Sequence, residues 1–248
     1  MLKFGDTYLK YGDTYFKDWI SESKPDPYNP LNLPPNTMRV RTNDGNAPIK
    51  SNDTTYETAT LVPGTNDVYD VYKSGNDFTF LLYKSTNVSE VLGANTTDIT
   101  DMYYMLGDCS ALESVSLFDT TKVTRMSDMF VKCETLTTVP LFNTSHVSSM
   151  NQMFYRCNSL TTVPLFNTSN VIDMRWMFYN CPSLTTVPLF NTSNVTNMAN
   201  MFWNCISLSS VPLFNTYNVL NMSDMFSRCS SLSSVPLFNT SNVKYMPS

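Results

Sequence analysis

The chain has 248 residues, enough for one large domain or two small ones with a core of their own. Only 15% of the residues are charged, while 26 Asn, 28 Ser and 30 Thr hold 84 of the 248 positions, so hydroxyls and amides must build the solvated surface. Lys and Arg number 16 against 21 Asp and Glu, and the net charge of −5 has the wrong sign for a phosphate backbone, which argues against a nucleic-acid partner.

The first residues interleave Lys3, Lys10, Lys17, Asp6, Asp13 and Asp18 with aromatics, so no signal peptide is expected there. Nor does any stretch reach the roughly 18 apolar residues of a spanning helix, so no membrane partner is expected. Lys3-Phe-Gly-Asp-Thr-Tyr-Leu9 is followed at once by Lys10-Tyr-Gly-Asp-Thr-Tyr-Phe16, and each Gly-Asp between aromatics suits a turn between short strands. Pro25, Pro27, Pro30, Pro34 and Pro35 then make a stiff, extended strap that completes a first segment, residues 1–36. So short a tail has too little local core to offset its ordering entropy, and it is expected to order against another chain. Residues 37–98 read as a small β-rich module, with strand-like runs at 38–41, 68–72 and 78–83 and a last part near 88–92 that caps the first coil of a repeat domain.

Residues 99–248 are governed by that repeat. The six cysteines fall at Cys109, Cys133, Cys157, Cys181, Cys205 and Cys229, every interval being 24. That is no zinc spacing; it marks one slot of the pattern V-x-x-M-x-x-M-F-x-x-C-x-x-L-x-x-V-P-L-F-N-T-S-N, in six units over residues 99–242. In the unit from Val195, the residues Met198, Met201, Phe202 and Cys205 stand at i, i+3, i+4 and i+7, the apolar face of a helix of about two turns. Residues 208–211 read as a short extended segment ending at Pro212, because a proline at one level of a stacked ladder deletes a hydrogen bond in every coil. One unit cannot bury its apolar side alone, so neighbours must stack into a solenoid. Asn143, Asn167, Asn191, Asn215 and Asn239, with Asp119 in the first unit, then form a ladder suited to turn amides. The predicted fold is α/β: a solenoid of six 24-residue coils, each a short helix plus a short parallel strand, behind a β-rich capping module and an extended N-terminal tail.

The segments LTTVPLFNTSNV and MxxMFxxCxSL resemble the BspA-like leucine-rich repeats of bacterial surface proteins, found also in virion fibres of phages that infect gut bacteria. The resemblance covers residues 99–242 and implies a leucine-rich-repeat solenoid used for adhesion or recognition, with no catalytic residues to carry over. The order of aromatic tail, Pro-rich strap and repeat domain is similar to phage fibre proteins whose first residues anchor the fibre to the particle. That likeness implies an anchor of Phe4, Tyr8, Tyr11, Tyr15, Phe16 and Trp19 against other virion proteins, and a homo-oligomer, commonly a trimer. The implied function is a non-enzymatic virion-associated fibre or appendage protein, located in the virion, with the solenoid on the host surface. One alternative is a bacterial cell-surface adhesin; another is the non-catalytic recognition part of a glycan-processing enzyme.

Catalysis has few candidates. His146, the one histidine, fills a slot held elsewhere by Lys122, Asn170, Asn194, Asn218 and Asn242, so it reads as a variable exposed position. The cysteines read as buried, inert thiols with raised pKa, unpaired because parallel Cβ vectors do not converge on disulfide geometry. With no phosphate loop, metal cluster or paired carboxylates, neither an enzyme activity nor a cofactor or metal is expected.

Recognition has a better candidate in the slot after the inward phenylalanine, which reads Val131, Tyr155, Tyr179, Trp203, Ser227. Coils stacked about 4.8 Å apart would turn the three neighbouring aromatics into a stripe. Trp176 lies three residues before Tyr179 on the same helical flank, and Arg156, Arg175 and Asn204 border it. Aromatics beside hydrogen-bonding groups suit the apolar face and hydroxyls of a sugar, or a protein hot spot, so the expected ligand is a bacterial surface polysaccharide or protein. The competing reading has these rings only sealing seams between coils. Thr137-Thr138, Thr161-Thr162, Thr185-Thr186, Ser209-Ser210 and Ser233-Ser234 read as β-sheet fit and hydration, and the recurring Asn-Thr-Ser sequons as a by-product of the repeat. The layer around Phe226, Leu232 and Phe238 is expected to be covered by a partner, a neighbouring copy or further chain.

Overall fold

The computed structural model describes residues 10–11, 14–15 and 31–246. Of the tail, β1 (Lys10–Tyr11) pairs antiparallel with β2 (Thr14–Tyr15), on either side of the second Gly-Asp. The anchor residues Phe4, Tyr8, Phe16 and Trp19 lie outside the described residues, as do the side chains of Tyr11 and Tyr15.

Strands β3 (Thr37–Thr42), β4 (Thr58–Leu61), β5 (Val68–Tyr72), β6 (Val88–Asn95) and β7 (Ser114–Val115) form one mixed sheet in the order β4-β5-β3-β6-β7. Period-two alternation explains β3: Met38 and Val40 are buried, while Arg39 and Arg41 turn to Asp70 and Glu90, each pair at 2.6 Å. The pairs β4–β5, β5–β3 and β3–β6 are antiparallel. Only β6–β7 is parallel, and it ties the module to the first coil.

The expected helix in each coil is absent: no helix occurs among the described residues. In the third coil Met150, Gln152, Phe154 and Arg156 donate their N–H groups to the carbonyls of Asp173, Arg175, Met177 and Tyr179 in the next coil, at 2.8–3.2 Å. Between them Met153, Tyr155 and Cys157 bond back three residues, to Met150, Gln152 and Phe154. A helix sends its amides to carbonyls four residues back; here every second one leaves for the neighbouring coil and the rest close turns. Two residues per coil take positive φ to do this, Gln152 (56°) and Arg156 (58°) here, Trp176 (57°) and Asn180 (55°) in the next. A two-turn helix is marginal alone, whereas this turn ladder is reinforced by every added coil. Met198, Met201, Phe202 and Cys205 are still fully buried, because three-residue turns set the same residues inward as a helix would.

The expected strand is absent from all but the first coil, where β7 stands at that level. Residues 208–211 form none, and parallel bridging appears instead just before the first methionine, running Ser149–Asp173–Asn197–Asn221–Tyr245. At Val-Pro-Leu-Phe the N–H groups of Phe142, Phe166, Phe190, Phe214 and Phe238 reach back two residues to the proline carbonyls at 2.9–3.0 Å. That is an inverse γ-turn with leucine at its apex, and it bends the chain where a strand was expected. The run 78–83 is likewise no strand: Phe78, Phe80, Leu82 and Lys84 donate to Asp101, Tyr103, Met105 and Gly107, so it begins the turn ladder.

Phenylalanines fill the core in register. Phe130, Phe154, Phe178, Phe202 and Phe226 stack at 5.6–5.7 Å, and Phe190, Phe214 and Phe238 at 6.4–6.5 Å. The asparagine ladder works within coils: Asn143 Oδ1 accepts the Ser145 N–H at 3.0 Å, an Asx turn. The bond between coils is made by the buried threonine beside it, Thr144 Oγ1 donating to Asn167 O at 2.8 Å. At the N-terminal end the module covers the first carbonyls of the ladder: Thr55 donates its hydroxyl to Thr79 O and Thr54 Oγ1 donates to Tyr83 O, while the Thr55 N–H adds a second bond to Phe80 O, which also closes the turn with Tyr83 N–H.

Candidate functional site

The aromatic row projects from the turn ladder, and the ladder's period sets its geometry. Tyr155 and Tyr179 stack at 4.8 Å with planes 6° apart, and Tyr179 and Trp203 at 4.4 Å and 4°. Arg228 lies 4.8 Å over the Trp203 ring, and Arg156 is 5.7 Å from that of Tyr155. The ring faces are thus largely taken by one another and by these guanidinium groups, which leaves mainly edges to solvent.

Trp176 stands outside this stack. It and Tyr179 are the first and last residues of a turn closed by Tyr179 N–H on Trp176 O at 3.1 Å, so the three-residue spacing brings them together without a helix. An open groove of ≈ 380 Å³ lies between Gln152, Tyr155, Trp176, Tyr179 and Asn200. Of the seven predicted ligand residues, Tyr155, Trp176 and Tyr179 line it, and Trp203 and Arg156 extend the stack. Arg175 sits 5.3 Å from the Trp176 ring and 3.1 Å from Asp173, while Asn204 donates its amide to Asn180 Oδ1 at 2.6 Å. Gln152 and Asn200 escaped the sequence reading, although they stand 24 residues before and after Trp176 in the same slot.

Buried side-chain atoms without a hydrogen bond occur at Arg41 in the β module and in the second, third and fourth coils of the turn ladder. Asp128 Oδ1 and Asn151 Oδ1 are buried with no hydrogen-bond partner among the described residues, and Arg175 Nε is off line for one with its ion-pair partner. These are successive coils, since Asp128 donates its N–H to Asn151 O and Gln152 to Arg175 O. Burial pushes the Asp128 carboxyl up to about 6, against the opposing pull of the Tyr104 hydroxyl, Arg125 and Arg175.

A second aromatic cluster, Phe80, Tyr83, Tyr103 and Tyr104, opens the ladder, with Arg125 3.7 Å over Tyr103. Gly107 and Val131 separate it from the Tyr155 row; a Cβ on Gly107 would come within 2.9 Å of both Tyr104 and Val131, so the close packing there needs glycine. His146 is exposed. All six cysteines are buried and free, each Sγ 3.0–3.1 Å from a carbonyl of the preceding coil, and burial pushes their thiols up, Cys109 to about 12. No group of three potential metal ligands and no helix long and apolar enough to cross a membrane occurs among the described residues.

A sequence family described as "Mycoplasma protein of unknown function, DUF285" matches residues 76–187 and 161–248. None of the curated proteins matches the chain. Among solved structures, a leucine-rich repeat protein from Eubacterium ventriosum ATCC 27560 is similar over 70% of this chain, at 20% identity and a TM-score of 0.46; the chain spans 42% of that protein's length.

Proposed function

We propose that this chain, which belongs to the DUF285 family, is a non-enzymatic recognition protein that holds a surface polysaccharide in the groove between Gln152, Tyr155, Trp176, Tyr179 and Asn200. The observation that carries this reading is Trp176 itself. Other coils fill its slot with Tyr104, Asp128, Gln152, Asn200 and Asp224, all at positive φ, so the left-handed backbone there accepts an aromatic, an acid or an amide and does not require an indole. With Arg175 on one side, the indole keeps a face for the apolar side of a sugar ring, while the amides of Gln152 and Asn200 suit its hydroxyls.

In this reading the solenoid works at a biological surface, as part of a virion-associated fibre or appendage whose aromatic tail meets the particle. A bacterial surface adhesin is the alternative. Purification of the native assembly separates them: a phage particle supports the first, a cell envelope overturns it. The groove is tested by Trp176→Asn, which puts a residue the other coils already use into the slot. Binding of host capsular polysaccharide should fall at least tenfold with the melting temperature held; a variant that binds as the parent does would remove the groove from the account.

A further inference from the structure

Leu117, Leu141, Leu165, Leu189, Leu213 and Leu237 occupy one slot of the six coils, from Leu141 onward at the apex of the γ-turn. The four central ones expose 58–61% of their surface, so they form a ridge along the solenoid instead of packing into it. Two observations separate this ridge from scattered surface leucines. Outward slots of the turn ladder change freely from coil to coil, from Val131 to Tyr155 to Ser227 in one and from Lys132 to Asn180 to Arg228 in another, yet leucine recurs in all six. These leucines neither fill the core nor make a hydrogen bond, so no bonding within the molecule holds leucine in that slot.

The second observation is charge. Of the six arcs that carry the ridge, residues 157–170, 181–194, 205–218 and 229–242 contain no Asp, Glu, Lys, Arg or His, while the first two, 109–122 and 133–146, carry Glu113, Asp119, Lys122, Glu134 and His146. Two copies laid antiparallel set the charged first two arcs of each against uncharged arcs of the other, so no like charges meet. A second copy laid antiparallel presents a leucine ridge of the same 24-residue period. Each leucine offers on the order of 100 Å² of apolar surface. At about 600 Å² the ridge stands at the upper end of the largest apolar patch a monomer usually keeps and, with its flanking prolines and hydroxyl pairs, approaches the ~800 Å² per partner of a stable interface.

We propose that the leucine ridge is a homodimer interface, through which two copies of this chain pair antiparallel about a two-fold axis and leave both aromatic grooves free. Sedimentation velocity on the purified chain from about 1 to about 100 μM tests it, with Leu165→Asp/Leu189→Asp as the variant. The parent should pass from monomer to dimer, and the variant should associate at least tenfold more weakly while melting at nearly the parent's temperature. If the double variant fails to fold, Leu189→Ser alone is read the same way. A parent that stays monomeric overturns the proposal. So does a folded variant that dimerises like the parent, which would move the contact to the layer around Phe226 and Phe238. Flotation with phosphatidylcholine vesicles should leave the parent unbound; vesicle binding lost in the variant would make the ridge a lipid contact and overturn the dimer.

Discussion

Each coil has two sides built from different bonds. On the turn ladder the coils are joined by backbone amides and carbonyls, as Phe154 N–H to Met177 O at 3.0 Å, so the joining does not depend on the outward side chains, which from the third coil on have diverged into aromatics and charges. On the opposite arc side chains join the coils, Thr168 Oγ1 to Asn191 O at 2.8 Å and Asn194 Nδ2 to Ser169 O at 2.7 Å, beside a sparser set of backbone bonds such as Thr161 N–H to Thr137 O at 3.0 Å, and its sequence hardly changes. Divergence is thus found where the backbone has freed the side chain. The leucine ridge is the exception, uniform without bonding anything, and for that reason it points to a contact outside the molecule.

The comparison can be broken at the core both sides share. Phe178, fully buried between Phe154 and Phe202, should cost about 3–5 kcal/mol when changed to Ala, read by urea unfolding. A smaller effect tests the bonding arc alone. Thr168→Val keeps the shape but strips the hydroxyl and leaves Asn191 O bare, which should cost about 1–2 kcal/mol; no measurable loss would mean that this arc is not held by its side chains.

On the turn ladder the sign should reverse at one position. Burial raises the Asp128 carboxyl from its ordinary value of 3.8 to about 6, so the folded chain binds that proton more tightly than the unfolded chain does. Stability should therefore fall as pH rises from about 4 through about 6 and stay at the lower level above. Asp128→Asn should match the parent near pH 4 and exceed it above pH 6, by on the order of 1 kcal/mol, in melts recorded across that range. The smallest effect belongs to Trp176→Asn, within about 0.5 kcal/mol of the parent, since Asn200 already fills that slot.

Much of this was legible in the sequence, though not the backbone. The interval between Cys133 and Cys157 announced stacked coils, and Met150, Met153, Phe154 and Cys157 were correctly inward. A helix and a chain of three-residue turns set those four residues on one face alike, so the apolar pattern could not tell them apart. Asp108, Asn180 and Asn204 in a recurring positive-φ slot were the available hint, blurred by Lys132, Arg156 and Arg228 in the same place. Pro212 marked where extended chain stops, but not that the next residue is a bend apex. In the groove, Tyr155, Trp176 and Tyr179 stood out by departing from the repeat. Gln152 and Asn200 did not, because a polar residue there looks like ordinary surface until the coils are stacked.

Hydroxyl-radical footprinting of the chain with and without host polysaccharide compares the two sides in one experiment. Protection of Trp176 and Tyr179, with Leu165 and Leu189 unchanged, is the predicted result; protection of the leucines with the groove residues still reactive would contradict it.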